Sequence, residues 1–192
     1  MERQSNAMNQ LRTPHDLSDQ DRRLLEAARE ASAHAYAPYS SFAVGAAVRT
    51  QSGRIFCGAN LENAAFGTSI CAEVAAVAGA NTAGDLDIEA IAIVGHKFTS
   101  PPDSSHIVMP CGRCRQVISE AALASGVDIR LLSCDGDLKQ VIVSSISALL
   151  PSAFGPENLT VDQEWRLALA NRVRVLSNGS VAARSVDIPD SN

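Results

Sequence analysis

Three cysteines and one glutamate are the residues of this chain with the clearest chemical potential. Cys111-Gly112-Arg113-Cys114 places two thiols one helical turn apart, and Cys71-Ala72-Glu73 lies upstream. Two thiolates at the C-x-x-C spacing can hold one metal ion from a single turn. The motif alone also fits a redox pair, half of a structural zinc site, or no site at all.

The two motifs together favour a catalytic zinc site. Structural zinc usually has four protein ligands, whereas catalytic zinc has three and keeps the fourth position for water. Cys71, Cys111 and Cys114 supply three ligands for one Zn²⁺ per subunit, and Glu73 is left over. Zinc lowers the pKa of bound water toward neutrality, and a free carboxylate such as Glu73 can move its protons. The predicted chemistry is hydrolytic deamination, which uses this ligand set with a non-ligand glutamate.

The surrounding sequence predicts the elements that carry these motifs. A Ser18 N-cap begins a helical stripe that ends near Tyr36, ahead of Pro38. Residues 43–50 and 55–58 are predicted to form the two strands of a hairpin, joined by a Gly-containing turn. The later predicted elements are a helix at 72–81, a strand at 88–95, a helix at 112–125, a strand at 127–134, and a strand with a short helix at 138–150. This order predicts an α/β fold with three layers, α/β/α, around a mixed central sheet.

The pattern also predicts a domain organisation. Residues 1–17 are polar and unpatterned and are expected to form a flexible leader. Residues 18–156 form the catalytic domain. Residues 157–192 are expected to form a partly ordered extension, with a short helix around Trp165.

Composition and charge limit the functional classes. The net charge is -5, and no stretch approaches the roughly 20 apolar residues that span a bilayer. An acidic chain disfavours nucleic acid as a partner, so we expect no nucleic acid, no membrane and a small substrate. Clustered cysteines without a secretory signal indicate a reducing, cytoplasmic location. Outside the motifs, Cys57 is expected to be a buried strand residue and Cys134 a buried or strand-end one. His34, His96 and His106 are expected to be surface or loop histidines rather than metal ligands.

Four segments together resemble the homotetrameric, zinc-dependent cytidine deaminases. They are Ala35-Tyr36-Ala37-Pro38-Tyr39-Ser40-Ser41-Phe42-Ala43-Val44-Gly45-Ala46-Ala47, Gly58-Ala59-Asn60-Leu61-Glu62-Asn63-Ala64-Ala65-Phe66-Gly67, Cys71-Ala72-Glu73, and Pro110-Cys111-Gly112-Arg113-Cys114-Arg115-Gln116. A weaker fifth segment runs from Leu149 to Phe154. The resemblance covers roughly residues 20–155 in family order and implies a cytidine deaminase-like fold.

The resemblance implies roles for particular residues. Asn60 and Glu62 match positions that hold the ribose hydroxyls, and Phe42 matches an aromatic residue against the pyrimidine. Ala72 matches a residue whose main chain orients the base. Phe154 matches an aromatic residue lent to a neighbouring subunit of a homotetramer. The implied reaction converts cytidine and 2'-deoxycytidine to uridine and 2'-deoxyuridine with release of ammonia, a step of pyrimidine salvage.

The chain departs from the family pattern at two positions near the motifs. Val74 follows Glu73 where many members carry an arginine that hydrogen-bonds the ligating sulfurs, and Phe66 replaces a tyrosine. Three thiolates on Zn²⁺ leave a net charge of about -1. We therefore expect compensation from N–H groups at the helix starts, or from Arg113 or Arg115.

Three alternatives remain open from the sequence. A deaminase of a modified aminopyrimidine nucleoside, such as the blasticidin S deaminases, shares the cysteine motifs and often lacks the arginine, but the intact Asn60 and Glu62 pair favours an unmodified ribose. A non-catalytic structural zinc or redox protein leaves Glu73 without a role. A nucleic-acid editing deaminase conflicts with the acidic charge.

Overall fold

The structure is a computed structural model, and it describes residues 10–98 and 106–160. The chain divides into two compact units, residues 1–154 and 155–192. The first unit contains the sheet and the helices. In the second, the described part holds a short 3₁₀ turn at Pro156–Leu159. The helix predicted around Trp165 lies outside the described residues, and the domain boundary after residue 156 stays a prediction.

A six-stranded mixed sheet forms the centre of the first unit. Its strands are β1 (Gln10–Arg12), β2 (Phe42–Thr50), β3 (Ile55–Ala59), β4 (Ile88–Lys97), β5 (Arg130–Cys134) and β6 (Val141–Ser145). Their spatial order is β1-β6-β5-β4-β2-β3. The β4 and β5 strands run parallel, and the other neighbours run antiparallel. The mixed central sheet predicted from the sequence is confirmed.

Helices cover both faces of this sheet. They are α1 (Asp19–Ser32), α2 (Ala72–Thr82), α3 (Gly112–Ser125) and the short α4 (Ile146–Leu149). Alternate residues of β2 and β4 face opposite sides, as a strand's period of two requires. One core, under α2 and α3, contains Ala46, Val48, Ile91, Ile93 and Leu131. The other, under α1, contains Ala47, Ala90, Ala92, Val94 and Leu132. The predicted three-layer α/β/α arrangement is therefore confirmed.

Two glycines let helices approach the sheet on opposite faces. A Cβ on Gly45 would lie 1.9 Å from the main-chain oxygen of Ala28 in α1. A Cβ on Gly58 would lie 2.4 Å from the main-chain oxygen of Ala72 in α2. Neither distance is compatible with a side chain, so glycine is required by the close packing. The contact at Gly58 sets the start of α2 directly on β3.

The structure differs from the sequence prediction in the leader and in some element ends. Residues 10–12, predicted as part of a flexible leader, pair with β6 as an edge strand, and Leu17 is buried beneath α1. A three-residue strand has too little pattern to be recognised before its partner is known. The first helix ends at Ser32 rather than near Tyr36, because Tyr36 instead donates its N–H to the Asn60 carbonyl. None of the described helices is both long and apolar enough to cross a bilayer.

Candidate active site

The three predicted metal ligands converge at the starts of two helices. Cys71 and Cys111 are the N-cap residues of α2 and α3, and Cys114 lies in the first turn of α3. The sulfur of Cys111 lies 3.4 Å from that of Cys114 and 3.9 Å from that of Cys71. All three Sγ atoms lie within 4.8 Å of one another. The tertiary structure therefore brings the two halves of the motif into one thiol triangle.

The chemistry of this triangle fits a thiolate-preferring cation. Burial, followed by repulsion from Glu73, raises the pKa of Cys114, and burial likewise raises the pKa of Cys71. Burial opposes ionisation of Cys111 too, but the main-chain N–H of Cys114 and the neighbouring thiols lower the pKa of Cys111. A cation between the sulfurs would stabilise all three thiolates at once. A sulfur-only donor set of this size suits Zn²⁺.

The number of ligands matches a catalytic metal site rather than a structural one. Within residues 10–98 and 106–160, this triangle is the only group of at least three Cys, His, Asp or Glu side chains close enough to hold an ion. The arrangement offers three protein ligands and leaves a fourth position open, which is the property of catalytic zinc.

The arginines expected to balance the thiolates do not contact them. Arg113 donates to the carbonyl of Ser69 at 3.0 Å. Arg115 donates to the carbonyls of Pro110 at 3.0 Å and Leu149 at 3.2 Å. The group that does favour a thiolate is the N–H of Cys114 at the start of α3. Of the two expected sources of compensation, the structure supports the helix-start N–H groups and contradicts direct hydrogen bonds from the arginines.

Glu73 lies beside the thiol triangle and is almost fully buried, with 4% of its surface exposed. It is the second residue of α2, so its side chain is close to the helix N-terminus. Burial raises the pKa of its carboxyl above the ordinary value, although its own main-chain N–H and the thiol of Cys114 act in the opposite direction. A carboxyl whose pKa is raised by burial takes up a proton more readily than an ordinary carboxyl, which suits general acid–base catalysis.

A cavity of about 240 Å³ opens beside the triangle. It is lined by Val44, Asn60, Glu62, Ser69, Ile70, Cys71, Ala72, Glu73, Val108, Met109 and Cys111. The thiols of Cys71 and Cys111 and the carboxyl of Glu73 share this cavity with Asn60 and Glu62, which follow β3. The cavity therefore joins a group of metal ligands to a group of hydrogen-bonding side chains.

The side chain of Asn60 is engaged by the adjacent strand. Its Oδ1 accepts from the N–H of Val44 at 2.9 Å, and its Nδ2 donates to the carbonyl of Phe42 at 3.0 Å. The amide thus continues the pairing of β2 and β3 beyond the end of β3. An amide nitrogen has two hydrogens, so one N–H of Asn60 remains for a ligand.

Glu62 is held by the chain that precedes β2. Its Oε2 accepts from the N–H of Tyr39 at 2.9 Å and from the N–H of Ser40 at 3.2 Å. A hydrogen bond from the Ser40 side chain, then these main-chain bonds, lower the pKa of Glu62 despite its partial burial. An ionised carboxylate only accepts hydrogen bonds, and Oε1 is the oxygen left for a hydroxyl donor.

The other predicted site residues are placed differently. Ala72 is fully buried and lines the cavity. Phe42 and Phe154 are not among the lining residues. The ring of Phe42 lies 2.9 Å from where a Cβ of Gly95 would be, and Phe154 is 57% exposed on this chain.

Sequence reasoning missed several residues that line the cavity. Ser69 and Ile70 precede Cys71, Val108 and Met109 precede the C-x-x-C loop, and Val44 comes from β2. Their positions next to the cysteine motifs were the only available signal, since none of them is a residue type that marks a site by itself.

The fold and the thiol triangle together define a zinc-binding α/β deaminase domain, and comparisons with known proteins agree. A sequence model of the cytidine and deoxycytidylate deaminase zinc-binding region matches residues 18–127. The cytidine deaminase of Halalkalibacterium halodurans is 40% identical over 136 residues, which cover 71% of this chain and 95% of the relative. The cytidine deaminase of Mycobacterium tuberculosis is 38% identical over 133 residues, which cover 69% of this chain and 87% of the relative.

A solved structure gives the same result. The crystal structure of a cytidine deaminase from Burkholderia pseudomallei is 38% identical, with a TM-score of 0.62, and the match covers 72% of this chain and 100% of the other. The chain belongs to the cytidine and deoxycytidylate deaminase family, which confirms the resemblance, the fold and the zinc cofactor expected from the sequence. Cys71, Cys111 and Cys114 are the described residues that could hold the zinc.

Proposed function

We propose that the protein hydrolyses cytidine and 2'-deoxycytidine to uridine and 2'-deoxyuridine with release of ammonia. The observation that carries this proposal is the shared cavity, in which two thiols of the metal site and the buried Glu73 lie together with the hydrogen-bonding side chains of Asn60 and Glu62. The activity of the relatives, which are cytidine deaminases, supports the same assignment.

The metal's contribution is limited to one function. Cys71, Cys111 and Cys114 would hold Zn²⁺, which would lower the pKa of a bound water toward neutrality so that the water can act as the nucleophile. The protein supplies the three thiols and the open fourth position.

Glu73 moves the protons. Its carboxylate takes one from the nucleophilic water and gives it to N3 of the pyrimidine, so that C4 becomes electrophilic. The water oxygen bonds to C4, and Glu73 takes the second proton from the hydroxyl that C4 then carries. Glu73 passes this proton to the amino group, the C4–N bond breaks, ammonia leaves, and the carbonyl of uridine forms. Burial of Glu73 suits both steps, because its raised pKa brings proton uptake and release closer together in free energy.

The other end of the cavity favours a nucleoside. Glu62 and Asn60 offer one acceptor and one donor for the sugar hydroxyls. No Lys, Arg or His is present among the described residues that line this cavity, and two of them are carboxylic acids. A phosphate would meet repulsion there without a compensating cation. We therefore assign nucleosides, rather than deoxycytidylate, as substrates.

Three further roles complete the proposed site. The main chain of Ala72 orients the base, Phe42 packs against the pyrimidine, and Phe154 enters the site of a neighbouring copy. The position of Ala72 in the cavity supports the first role, and the exposure of Phe154 supports the third. The ring of Phe42 lies against Gly95, and its role at the base rests on the family resemblance.

The protein is proposed to act as a homotetramer in the cytoplasm. Several large apolar side chains near the proposed site are at least 37% exposed on the single chain: Tyr36, Tyr39, Leu61, Phe66, Ile70 and Phe154. Such a group is more than a monomer usually exposes and suits burial against other copies. Free thiols in a metal site are maintained in a reducing compartment. Light scattering coupled to size exclusion would test the assembly.

A deaminase for a modified aminopyrimidine nucleoside remains the second candidate, and Val74, in place of arginine, is the feature that favours it. The test is ultraviolet absorbance loss on cytidine, deoxycytidine, cytosine, cytidine monophosphate and blasticidin S, with zinc measured in the same sample. We expect turnover of the first two only. Turnover confined to blasticidin S would support the second candidate, and one bound zinc without any turnover would indicate a structural metal protein.

A further inference from the structure

We propose that Arg113 is a positioning residue that holds the segment 60–71 against the start of α3 and thereby sets the affinity for the nucleoside. This segment carries Asn60, Glu62 and Cys71. The expected effect on nucleoside affinity rests on the proposed function. The expected anchoring of segment 60–71 does not depend on that function.

The contact is a single hydrogen bond between two parts of the site that are distant in sequence. Nη1 of Arg113 lies 3.0 Å from the main-chain oxygen of Ser69. Arg113 belongs to the first turn of α3, between the two cysteines of the C-x-x-C motif. Ser69 lines the cavity two residues before Cys71. The guanidinium thus joins the helix that carries two metal ligands to the loop that carries the third.

Ser69 transmits this contact to the sugar-binding residues. Its Oγ accepts from the N–H of Asn63 at 3.1 Å, directly after Glu62. The next residue, Ile70, exchanges two main-chain hydrogen bonds of 2.9 Å with Leu61, directly before Glu62. Both neighbours of Glu62 are therefore tied to the short stretch that Arg113 holds.

The position of Arg113 in the first turn of α3 is unfavourable for a cation unless a specific contact compensates. The first turn of a helix carries a partial positive charge, so arginine is disfavoured there. Arg113 is exposed and does not line the cavity, so it touches neither the thiols nor the space for the base. Its position is explained by the carbonyl of Ser69, which its guanidinium reaches.

The other side chains of this turn reach different parts of the chain. Arg115 donates to Pro110 and Leu149, and Gln116 donates to the carbonyl of Phe154 at 2.7 Å. Among the described residues, two side chains of α3 hydrogen-bond segment 60–71: that of Arg113, through Ser69, and that of Cys114, through Cys71. A change at Arg113 should loosen that segment and leave the rest of α3 in place.

The test compares zinc-loaded wild type with R113A, R113K and the control R22A. Arg22 lies on α1 and also donates to a main-chain oxygen, that of Leu17 at 2.6 Å. Amide hydrogen exchange of segment 60–71 is measured alongside zinc content and the kinetics of cytidine. In R113A we expect exchange in this segment to rise about 5-fold or more, because its anchoring bond is lost. Zinc content should stay at one per chain.

The kinetic arm asks whether the effect is on binding. In R113A, KM for cytidine should rise roughly 10-fold with kcat changed less than about 3-fold, as expected when ground-state and transition-state contacts are lost together. R113K, which keeps a donor and the charge, should recover part of KM. In an E62A background the R113A change should add little to KM, because its effect passes through Glu62.

Several outcomes would overturn the proposal. Unchanged exchange in segment 60–71 in R113A refutes it whatever the activity. Loss of zinc from R113A assigns the arginine to the metal instead, and fully additive effects of R113A and E62A show that it does not act through Glu62. If wild type deaminates no nucleoside, the proposed function fails, while the exchange data still decide whether Arg113 holds the segment.

Discussion

Glu62 accepts a 2.9 Å hydrogen bond from the main-chain N–H of Tyr39, across 23 positions of sequence. One carboxylate oxygen is thereby fixed, and Glu62 lines the cavity. Together with the Ser40 hydroxyl, which is the largest influence, this bond lowers the pKa of Glu62 from its ordinary 4.5. The carboxylate is therefore ionised at neutral pH.

Replacing Glu62 with glutamine should weaken nucleoside binding. Hydrogen bonds to charged groups contribute about 1.5–3 kcal/mol, so KM for cytidine should rise roughly 10- to 100-fold. The change in KM for 2',3'-dideoxycytidine should be much smaller, because this analogue lacks the hydroxyls. Because the pKa is lowered, Glu62 should impose no rise in KM between pH 8 and 5. Equal losses on both substrates would remove Glu62 from the sugar site.

Glu73→Gln should abolish turnover and leave the metal in place. The amide has nearly the same shape but cannot transfer the proton, so kcat should fall by about 10³ or more, which is in the middle or upper part of the range of general acid–base effects. Zinc content by atomic absorption should equal that of wild type. The conservative control is Glu89→Gln, which removes a carboxylate from the far end of β4. Activity of Glu73→Gln within about 10-fold of wild type would contradict the proton-transfer role.

Removal of any one thiol of the triangle should release zinc. Cys111→Ser and Cys114→Ser leave two sulfurs, and the affinity of such a site falls steeply with the number of ligands. Cys57→Ser is the matched control, since this exposed cysteine on β3 lies outside the triangle. We expect one zinc per chain in the control and under about a tenth of that in the two variants. Stoichiometric zinc in Cys111→Ser would exclude that residue as a ligand.

A buried carboxylate at the far end of the sheet should control acid stability. Asp21 is 1% exposed and pairs with Arg49 at 3.2 Å and Arg130 at 2.7 Å. Burial opposes its ionisation, but Ser18 and the two arginines prevail and lower the pKa of Asp21 below its ordinary 3.8. The stabilisation it provides is present above pH 3.8 and is lost as the pH falls through the lowered value.

Asp21→Asn should therefore lower the free energy of unfolding at pH 7 by about 3–5 kcal/mol, because two arginines lose their buried partner. The loss should shrink below pH 3. Asp19→Asn is the control, since Asp19 is 75% exposed and pairs with Arg22 at the surface, where a pair contributes about 1 kcal/mol or less. Urea unfolding at both pH values measures the difference, and an equal effect of the two variants would contradict this prediction.

Two glycines in neighbouring elements should respond oppositely to alanine. Gly58→Ala places a Cβ 2.4 Å from the main chain of α2, so it should lower the free energy of unfolding by about 1–3 kcal/mol or more. Because Cys71 is the N-cap residue of α2, Gly58→Ala should also weaken zinc binding. Gly79→Ala, in the same helix with open space around it, should raise stability by about 0.5–1 kcal/mol. Thermal unfolding with zinc titration checks both.

The cysteine motifs and Glu73 were recognisable in the sequence because each motif consists of residues close together along the chain. The C-x-x-C spacing joins two thiols through one helical turn, whatever the rest of the chain does. Small and β-branched residues in 43–50 and a continuous apolar run in 88–95 likewise indicate strands, and the structure extends them to Phe42–Thr50 and Ile88–Lys97. Gly126 marks the end of α3. The resemblance added Asn60 and Glu62, which the structure places in the same cavity as the cysteines.

Contacts between distant segments were decided only by the tertiary structure. The meeting of Cys71 with Cys111 depends on strand order, and the anchoring of Ser69 by Arg113 depends on where a long side chain reaches. The hydrogen bond of the Asn60 side chain to β2 and the pairing of residues 10–12 with β6 also join segments that are distant in sequence. A hydrophobic pattern determines which face of an element is buried, whereas close packing of the whole chain determines which element lies against it.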